Sequence, residues 1–271
     1  MDILETITAN TRREVAWQKQ TLPVDALLKL GSPWLVETPR SMRRALAESE
    51  TGIIAEFKRR SPSKGWLHRD AAIEAVVPAY ESGGASACSV LTDSEFFGGT
   101  LEDLQQARRL VRLPLLRKDF IVDEYQLYQA RTSGAAAVLL IAAVLSPDEC
   151  RRLARTAHEL ELEVLLEVHT PSELSRLNDD VDMLGVNNRD LGTFHTDVEN
   201  SFRMIDQLRR ETGGGEGRLL VSESGISDPQ TVLRLREAGF RGFLMGEAFM
   251  KTDDPGRALA DFITRVKTPQ P

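Results

Sequence analysis

The chain has 271 residues, 41% of them apolar, and a formal charge of −7 from 34 basic and 41 acidic side chains. That is apolar material for one full core of the size of an α/β barrel, commonly about 250 residues, and without a dominating block of Lys and Arg it argues against a nucleic-acid partner. The two cysteines, Cys88 and Cys150, fall inside regular segments and read as core residues, which speaks against a disulfide framework or zinc cluster and for a reducing, cytoplasmic compartment.

The N-terminus, MDILETITANTRREV, is charged throughout and lacks the apolar stretch of a signal peptide. Two helical stretches, LETITANTRREVAWQKQ and PRSMRRALAES, fall within residues 1–50. They are expected to form a helical extension packed on one end of the rest, with residues 51–271 as a single domain. The run IIAEF from 53 is a strand; its period of two puts Ile54, Glu56 and Lys58 on one face and Ile53, Ala55 and Phe57 on the other. RRSPSKG then breaks into a loop. Asp70 is expected to cap a helix through AAIEAVVPAYESG, followed by ACSVLT as strand, TLEDLQQARRLV as helix, LLRKDFIV as strand and DEYQLYQARTSG as helix. AAVLLIAAV is the next strand; its parent run, AAAVLLIAAVL from 135, is about half the ~20 residues that a membrane helix needs. SPDECRRLARTAHELE is helical, EVLLEVH a strand, TPSELSRL helical and MLGVNN a strand. NSFRMIDQLRRE, RLLVSES, SDPQTVLRLREAG, GFLMG and PGRALADFITRVK complete the alternation.

Eight apolar strands, each followed by a helix, predict a closed (β/α)8 TIM barrel, because parallel strands covered on both faces read as continuous apolar runs. An open doubly wound sheet would carry a glycine-rich turn after its first strand, and none is present. GGGEG at 213–217 follows a helix, lacks the Lys-Ser/Thr of a phosphate loop, and reads as a flexible connection.

Active sites of such barrels sit at the C-terminal ends of the strands. Here those ends carry Glu56 and Lys58, Lys118 with Phe120 on its face, Glu167, Asn187 with Arg189, and Ser222-Glu223-Ser224-Gly225. One charged strand end is consistent with plain solvation; six ionisable residues converging on one mouth are not what random scatter gives. Arg117 and Asp119, of opposite parity to Lys118, would face the helices and pair with each other. SGISDP at 224–229 and MGEAFM at 245–250 suit phosphate, since Gly225 and Gly246 let the backbone approach an anion. The Glu247 side chain is expected to point away while its N–H contributes. None of the four histidines has a partner at metal-ligand spacing; His169 shares the parity of Glu167 and is read as structural.

EFKRRSPSKG, SVLTD with FFGG, LRKDFIVDEYQ, LLEVH, GVNNRDL, VSESGI and FLMGEAFM, in this order and spacing, resemble the indole-3-glycerol phosphate synthases of tryptophan biosynthesis at nearly every strand end from 53 to 250. The resemblance implies a barrel lyase that closes the indole ring of 1-(2-carboxyphenylamino)-1-deoxy-D-ribulose 5-phosphate with loss of CO2 and water, needing no metal or organic cofactor. By the same resemblance Lys118 is the general acid on the ketone oxygen, and Glu167 the base or acid partner in the dehydration. Lys58 holds the substrate's anionic groups, and Glu56 hydrogen-bonds the reacting hydroxyls and tunes the lysines. Ser61, Asn187, Arg189, Glu223 and Ser224 line the substrate pocket, and Phe120 packs on the aromatic ring. Lys58, Ser224, Gly225, Gly246 and the Glu247 backbone hold phosphate; some relatives carry serine where this chain has Glu247.

The partner so implied is a small phosphorylated substrate, with no nucleic acid and no membrane, and the chain is expected to be a monomer or weak homo-oligomer. Trimming residues 1–50 is expected to weaken substrate binding more than it disturbs the fold. Two alternatives stay open: a sugar-phosphate isomerase barrel, which would show an aspartate pair or a cysteine and an aspartate at strand ends, and a non-catalytic ligand-binding barrel, which has no use for Lys58, Lys118 and Glu167 together. Arg59 and Arg60 are expected to belong to a mobile, solvated loop.

Overall fold

Parallel strands that alternate with helices can bury both faces of their sheet by closing it into a barrel, and the chain does so. β1 (Ile53–Phe57), β2 (Ala87–Leu91), β3 (Leu115–Lys118), β4 (Ala137–Ile141), β5 (Glu163–Val168), β6 (Met183–Asn187), β7 (Leu219–Glu223) and β8 (Gly242–Met245) form a closed barrel. β1 closes it by pairing with β8 at Ile53↔Phe243 and Ala55↔Met245, and with β2 at Glu56↔Ser89. The computed structural model describes residues 3–30, 32–190, 192–211 and 218–268, so the GGGEG stretch lies outside the described residues.

Strand parity divides the core in two. Outward residues such as Ile53, Ala55, Val138, Leu140, Leu166 and Phe243 pack against the helices in one large cluster. Inward residues Ile54, Leu116, Leu139, Leu165, Val221 and Leu244 fill the barrel in a second, smaller one. Both cysteines are free and buried, and Cys88 belongs to the outer cluster. No helix among the described residues is long and apolar enough to cross a membrane.

The segment before β1 touches both ends of the barrel. α1 (Ile3–Thr21) lies by the C-terminal mouth, tied to α7 (Glu124–Thr132) by Gln129 Nε2 donating to Gln18 Oε1 at 2.9 Å and by Lys19 on Asp123 at 2.9 Å. α2 (Val24–Lys29) follows, and α3 (Met42–Glu48) then crosses beneath the opposite end, where fully buried Met42 and Leu46 join the inner cluster. Glu163, the first residue of β5, clamps α3 by accepting the Arg43 N–H at 2.9 Å. Trimming all of residues 1–50 would therefore strip the barrel of its floor. The expectation that binding suffers more than folding applies to α1 alone.

Local chemistry explains several boundaries. α6 (Leu101–Leu110) starts with a reciprocal cap between Thr100 and Asp103, and α8 (Pro147–Glu159) with one between Ser146 and Glu149. Asp70 does not cap α4 (Ile73–Ser82): the N-cap is Ala72, without a side-chain bond, and the helix starts later than the Asp70 signal suggests. AAVLLIAAV gives up its strand at Ile141 for a single 3-10 turn at Ala142–Val144, and TPSELSRL is a 3-10 segment, Pro171–Arg176, instead of an α-helix.

Candidate active site

The loop after β1 folds into a small hairpin, Arg60–Ser61 against Gly65–Trp66. Arg59 anchors it: its guanidinium forms a bidentate pair with Asp103 at 2.7 and 2.8 Å and donates to the Ala71 and Gly98 carbonyls. Asp103 thus caps α6 and holds the hairpin at once. Arg60 donates to the Glu95 carbonyl at 2.8 Å and lies 5.7 Å over the Trp66 ring. The solvated-loop expectation is corrected for both arginines, because their partners lie about 35 to 44 residues away in sequence and were invisible locally.

The hairpin and α1 roof a cavity of about 570 Å³ at the C-terminal mouth. Glu56, Lys58, Ser61, Lys118, Phe120, Glu167, Asn187, Arg189, Ser224, Gly225, Gly246 and Glu247 all line it. Glu223 does not: it is 1% exposed and lies under the floor, a correction to its expected place on the pocket wall. The reason is Gly185 of β6. A Cβ there would stand 2.3 Å from Glu223 Oε1, so the missing side chain is the room into which the carboxyl folds. Gly246 does the same for Glu56, whose Oε1 a Cβ would meet at 2.3 Å.

Lys118 is the hub. Its Nζ stands 3.9 Å from Glu56, 3.8 Å from Glu167 and 3.8 Å from Glu223, while Lys58 Nζ sits directly on Glu56 Oε1. Burial pulls the Lys118 ammonium down, but Glu167, Glu223 and Glu56 together outweigh it, and the group is held above the ordinary lysine range. Glu56 is pushed up by burial and brought below its ordinary value by Lys58 and Lys118. Glu223 goes the other way: burial and the Glu167 charge push it well up, more than Lys118 can offset. With Glu223 biased toward its neutral form, Lys58, Lys118 and Arg189 face the carboxyl groups of Glu56, Glu167 and Glu247. That balance is what lets charges persist where desolvation costs several kcal/mol per ion.

Arg189 stands at the rim. It donates through Nε to Thr196 Oγ1 at 3.2 Å and through Nη1 to Ser63 Oγ at 3.0 Å, and pairs with Glu247 at 3.2 Å. The Glu247 side chain is therefore turned toward Arg189 and not away, since a guanidinium within reach is a better neighbour than bulk solvent. Asn187 accepts the Arg189 backbone N–H at 3.0 Å. Beside these groups, successive left-handed residues Ser224 (φ 65) and Gly225 (φ 78) turn the chain after β7, and Gly246 opens the four-residue helix Glu247–Met250. For a serine, the left-handed conformation is strain of the kind that concentrates at functional sites.

An apolar wall completes the cavity. The Phe97 and Phe120 rings stand 6.3 Å apart, tilted by 34°, and Ile3, Leu4 and Ile7 of α1 lie on its surface too. Phe97 and the α1 residues escaped the sequence reading; the i, i+4 pair Ile3 and Ile7 marked an apolar face but not what it covers. Arg117 and Asp119 face outward, paired at 2.8 Å with Thr92 donating to Asp119 at 2.6 Å.

The sequence matches the family model "Indole-3-glycerol phosphate synthase" over residues 4–262. It is 57% identical over 268 residues to the indole-3-glycerol phosphate synthase of Bacteroides thetaiotaomicron, covering 98% of this chain and 99% of the relative. To that of Salinibacter ruber it is 44% identical over 263 residues, covering 96% and 94%. Among solved structures, tryptophan synthase subunit alpha from Legionella pneumophila superposes with a TM-score of 0.60 at 13% identity, over 83% of this chain and 98% of that one. A mutant alpha-subunit from Pyrococcus furiosus gives 0.59 at 14%, over 80% and 98%. At such identities the likeness concerns the fold alone.

Proposed function

The chain belongs to the indole-3-glycerol phosphate synthase family, carboxy-lyases of tryptophan biosynthesis, and we propose that the cluster around Lys118 performs the ring closure. The substrate is a phosphorylated small molecule; the isomerase and non-catalytic alternatives fall away with the family.

The aromatic carbon bearing the carboxylate attacks the ketone carbon, and Lys118 gives its proton to the ketone oxygen as that oxygen gains charge. CO2 leaves with its electron pair returned to the ring system. The new hydroxyl then departs as water, with Glu167 moving the proton and Glu56 hydrogen-bonding the hydroxyls. Lys58 and Arg189 hold the anionic groups. Ser61, Ser224, Gly225, Gly246 and the Glu247 backbone take the phosphate, and Phe120 with Phe97 takes the aromatic ring. Asn187 orients Arg189 and meets the substrate beside it. Glu247 yields Arg189 when the substrate arrives.

One observation carries this reading: an ammonium within 3.9 Å of three buried carboxylates, with no hydrogen bond among the described residues fixing it to any of them. A charge so placed is set in advance for a developing oxyanion. The test is to incubate the purified protein with the carboxyphenylamino-deoxyribulose phosphate and follow indole fluorescence. Parent protein should turn over and Lys118→Ala should lose at least ~10²-fold in kcat; a fully active Lys118→Ala variant would refute the assignment.

We further infer that residues 51–271 form the catalytic domain with 1–50 as its extension. We also infer that the protein works in the cytoplasm as a monomer or weak homo-oligomer, without nucleic acid. The excess of 41 acidic over 34 basic residues supports the last point.

A further inference from the structure

His169 follows the end of β5, two residues past Glu167, and its side chain is only 10% exposed. Its Nε2 lies 3.4 Å from Glu167 Oε1 and its Nδ1 lies 3.6 Å from Glu173 Oε2, with no aligned hydrogen bond at either ring nitrogen. Glu173 is itself fixed, because Oε2 accepts the His169 backbone N–H at 2.6 Å from the 3-10 segment Pro171–Arg176. Asn200 of α9 (Glu199–Glu211) holds the same residue from the other side by donating to the His169 carbonyl at 3.2 Å. A row of alternating charge thus runs inward from the surface: Glu173, His169, Glu167, Lys118.

The charged groups that act on the imidazole are Glu167 on its own strand, Glu173 on the 3-10 segment, Lys118 on β3 and Asp190 in the loop after β6. Burial pulls the ring toward its neutral form, and Lys118 adds to this; the close Glu173 carboxyl and the Glu167 charge outweigh both and hold it above the ordinary histidine value. Glu173, pushed up by burial, is brought below its usual range by the same contacts with His169.

Among the described residues the ion-pair partners of Glu167 are Lys118 and His169. One of the two is spent during the reaction: Lys118 becomes a neutral amine once its proton has gone to the ketone oxygen. We propose that the His169–Glu173 pair is a positioning unit for Glu167, orienting its carboxylate and supplying the counter-charge that remains when Lys118 has given up its proton. This rests on the reading of Glu167 as the group that moves the dehydration proton. His169 itself touches no reacting atom.

The test is the pH profile of kcat from pH 5 to 9, followed by indole fluorescence, for the parent, His169→Gln and Glu173→Gln. An opposite charge at this distance moves a carboxyl by one to three units. The acid limb should therefore rise by about one unit in His169→Gln and by less in Glu173→Gln, with KM within about twofold of the parent. Acid limbs that stay at the parent position in both variants overturn the proposal, whatever happens to the height of the profile. If His169→Gln does not fold by circular dichroism, Glu173→Gln decides alone, since it leaves the ring and the acceptor of the backbone N–H in place. Glu167→Gln separates the two levels: an inactive Glu167→Gln with unshifted limbs sinks only the positioning unit, and a fully active one sinks the reading of Glu167 with it.

Discussion

The two ends of the barrel interior are built from the same strands, two residues apart. Ile54, Leu116, Leu165 and Val221 fill an apolar lower half with Met42 and Leu46 beneath them. One inward step further, Glu56, Lys118, Glu167 and Glu223 take the same face of the same strands. The lower half is held by apolar burial, worth roughly 1.5–3 kcal/mol per large side chain, and an apolar residue of similar volume serves. The upper half holds ionised groups at some cost in stability, and each is tied to particular partners. Stability and chemistry are thus separated along the barrel axis, and a substitution should disturb one without the other.

The largest expected break is at the top. Glu167→Gln removes a charge and keeps the shape, so kcat should fall by about 10²- to 10⁴-fold, while the melting temperature falls less than in a core deletion because Lys118 keeps Glu56 beside it. A drop in melting temperature of the size expected for a core deletion would erase the distinction. At the bottom, Leu46→Ala should cost about 2–5 kcal/mol in denaturant unfolding with kcat and KM at 25 °C unchanged. A large change in KM there would show that the halves communicate. A deletion ending at residue 21 removes α1 but leaves α3, and should raise KM roughly tenfold, about 1.4 kcal/mol, through lost apolar wall. An unchanged KM would mean that Ile3, Leu4 and Ile7 do not meet the substrate.

The smallest effect sharpens the boundary. Asp93 is buried beside the cavity, and burial pushes its carboxyl up to about 6 despite the N–H groups of Phe96 and Phe97. It therefore binds its proton more tightly folded than unfolded: there is no penalty below the unfolded value near 4, and the full penalty above 6. Asp93→Asn keeps the cap and drops the charge. It should stabilise the protein by about 1 kcal/mol at pH 8 and by nothing at pH 3.5, read by chemical denaturation at both. Equal stability at pH 8 would show that the charge costs nothing.

Parity made the upper half legible. Once 53–57 reads as a strand, Ile54, Glu56 and Lys58 must share a face, and the same step places Lys118 and Glu167. What sequence left hidden was set by partners far along the chain. Arg59 reads as solvated until Asp103, 44 residues on, is beside it. Glu223 reads as a pocket wall until Gly185 on the next strand shows a hollow to receive it. Glu247 reads as facing solvent until Arg189, 58 residues back, comes within 3.2 Å. His169 shared the right parity, but only the short 3-10 segment after β5 brings Glu173 round to its ring.

The placement of α3 also orders events in time. Leu46 packs under β7 and β8, close to Gly242 and Val221, and β1 needs β8 to complete its ladder. During synthesis from the N-terminus, residues 42–48 leave the ribosome before most of the barrel and find their seat only when the last strands exist. A segment made before any strand is thus among the last to be fixed, and until then Met42 and Leu46 are sticky surface for a chaperone to shield.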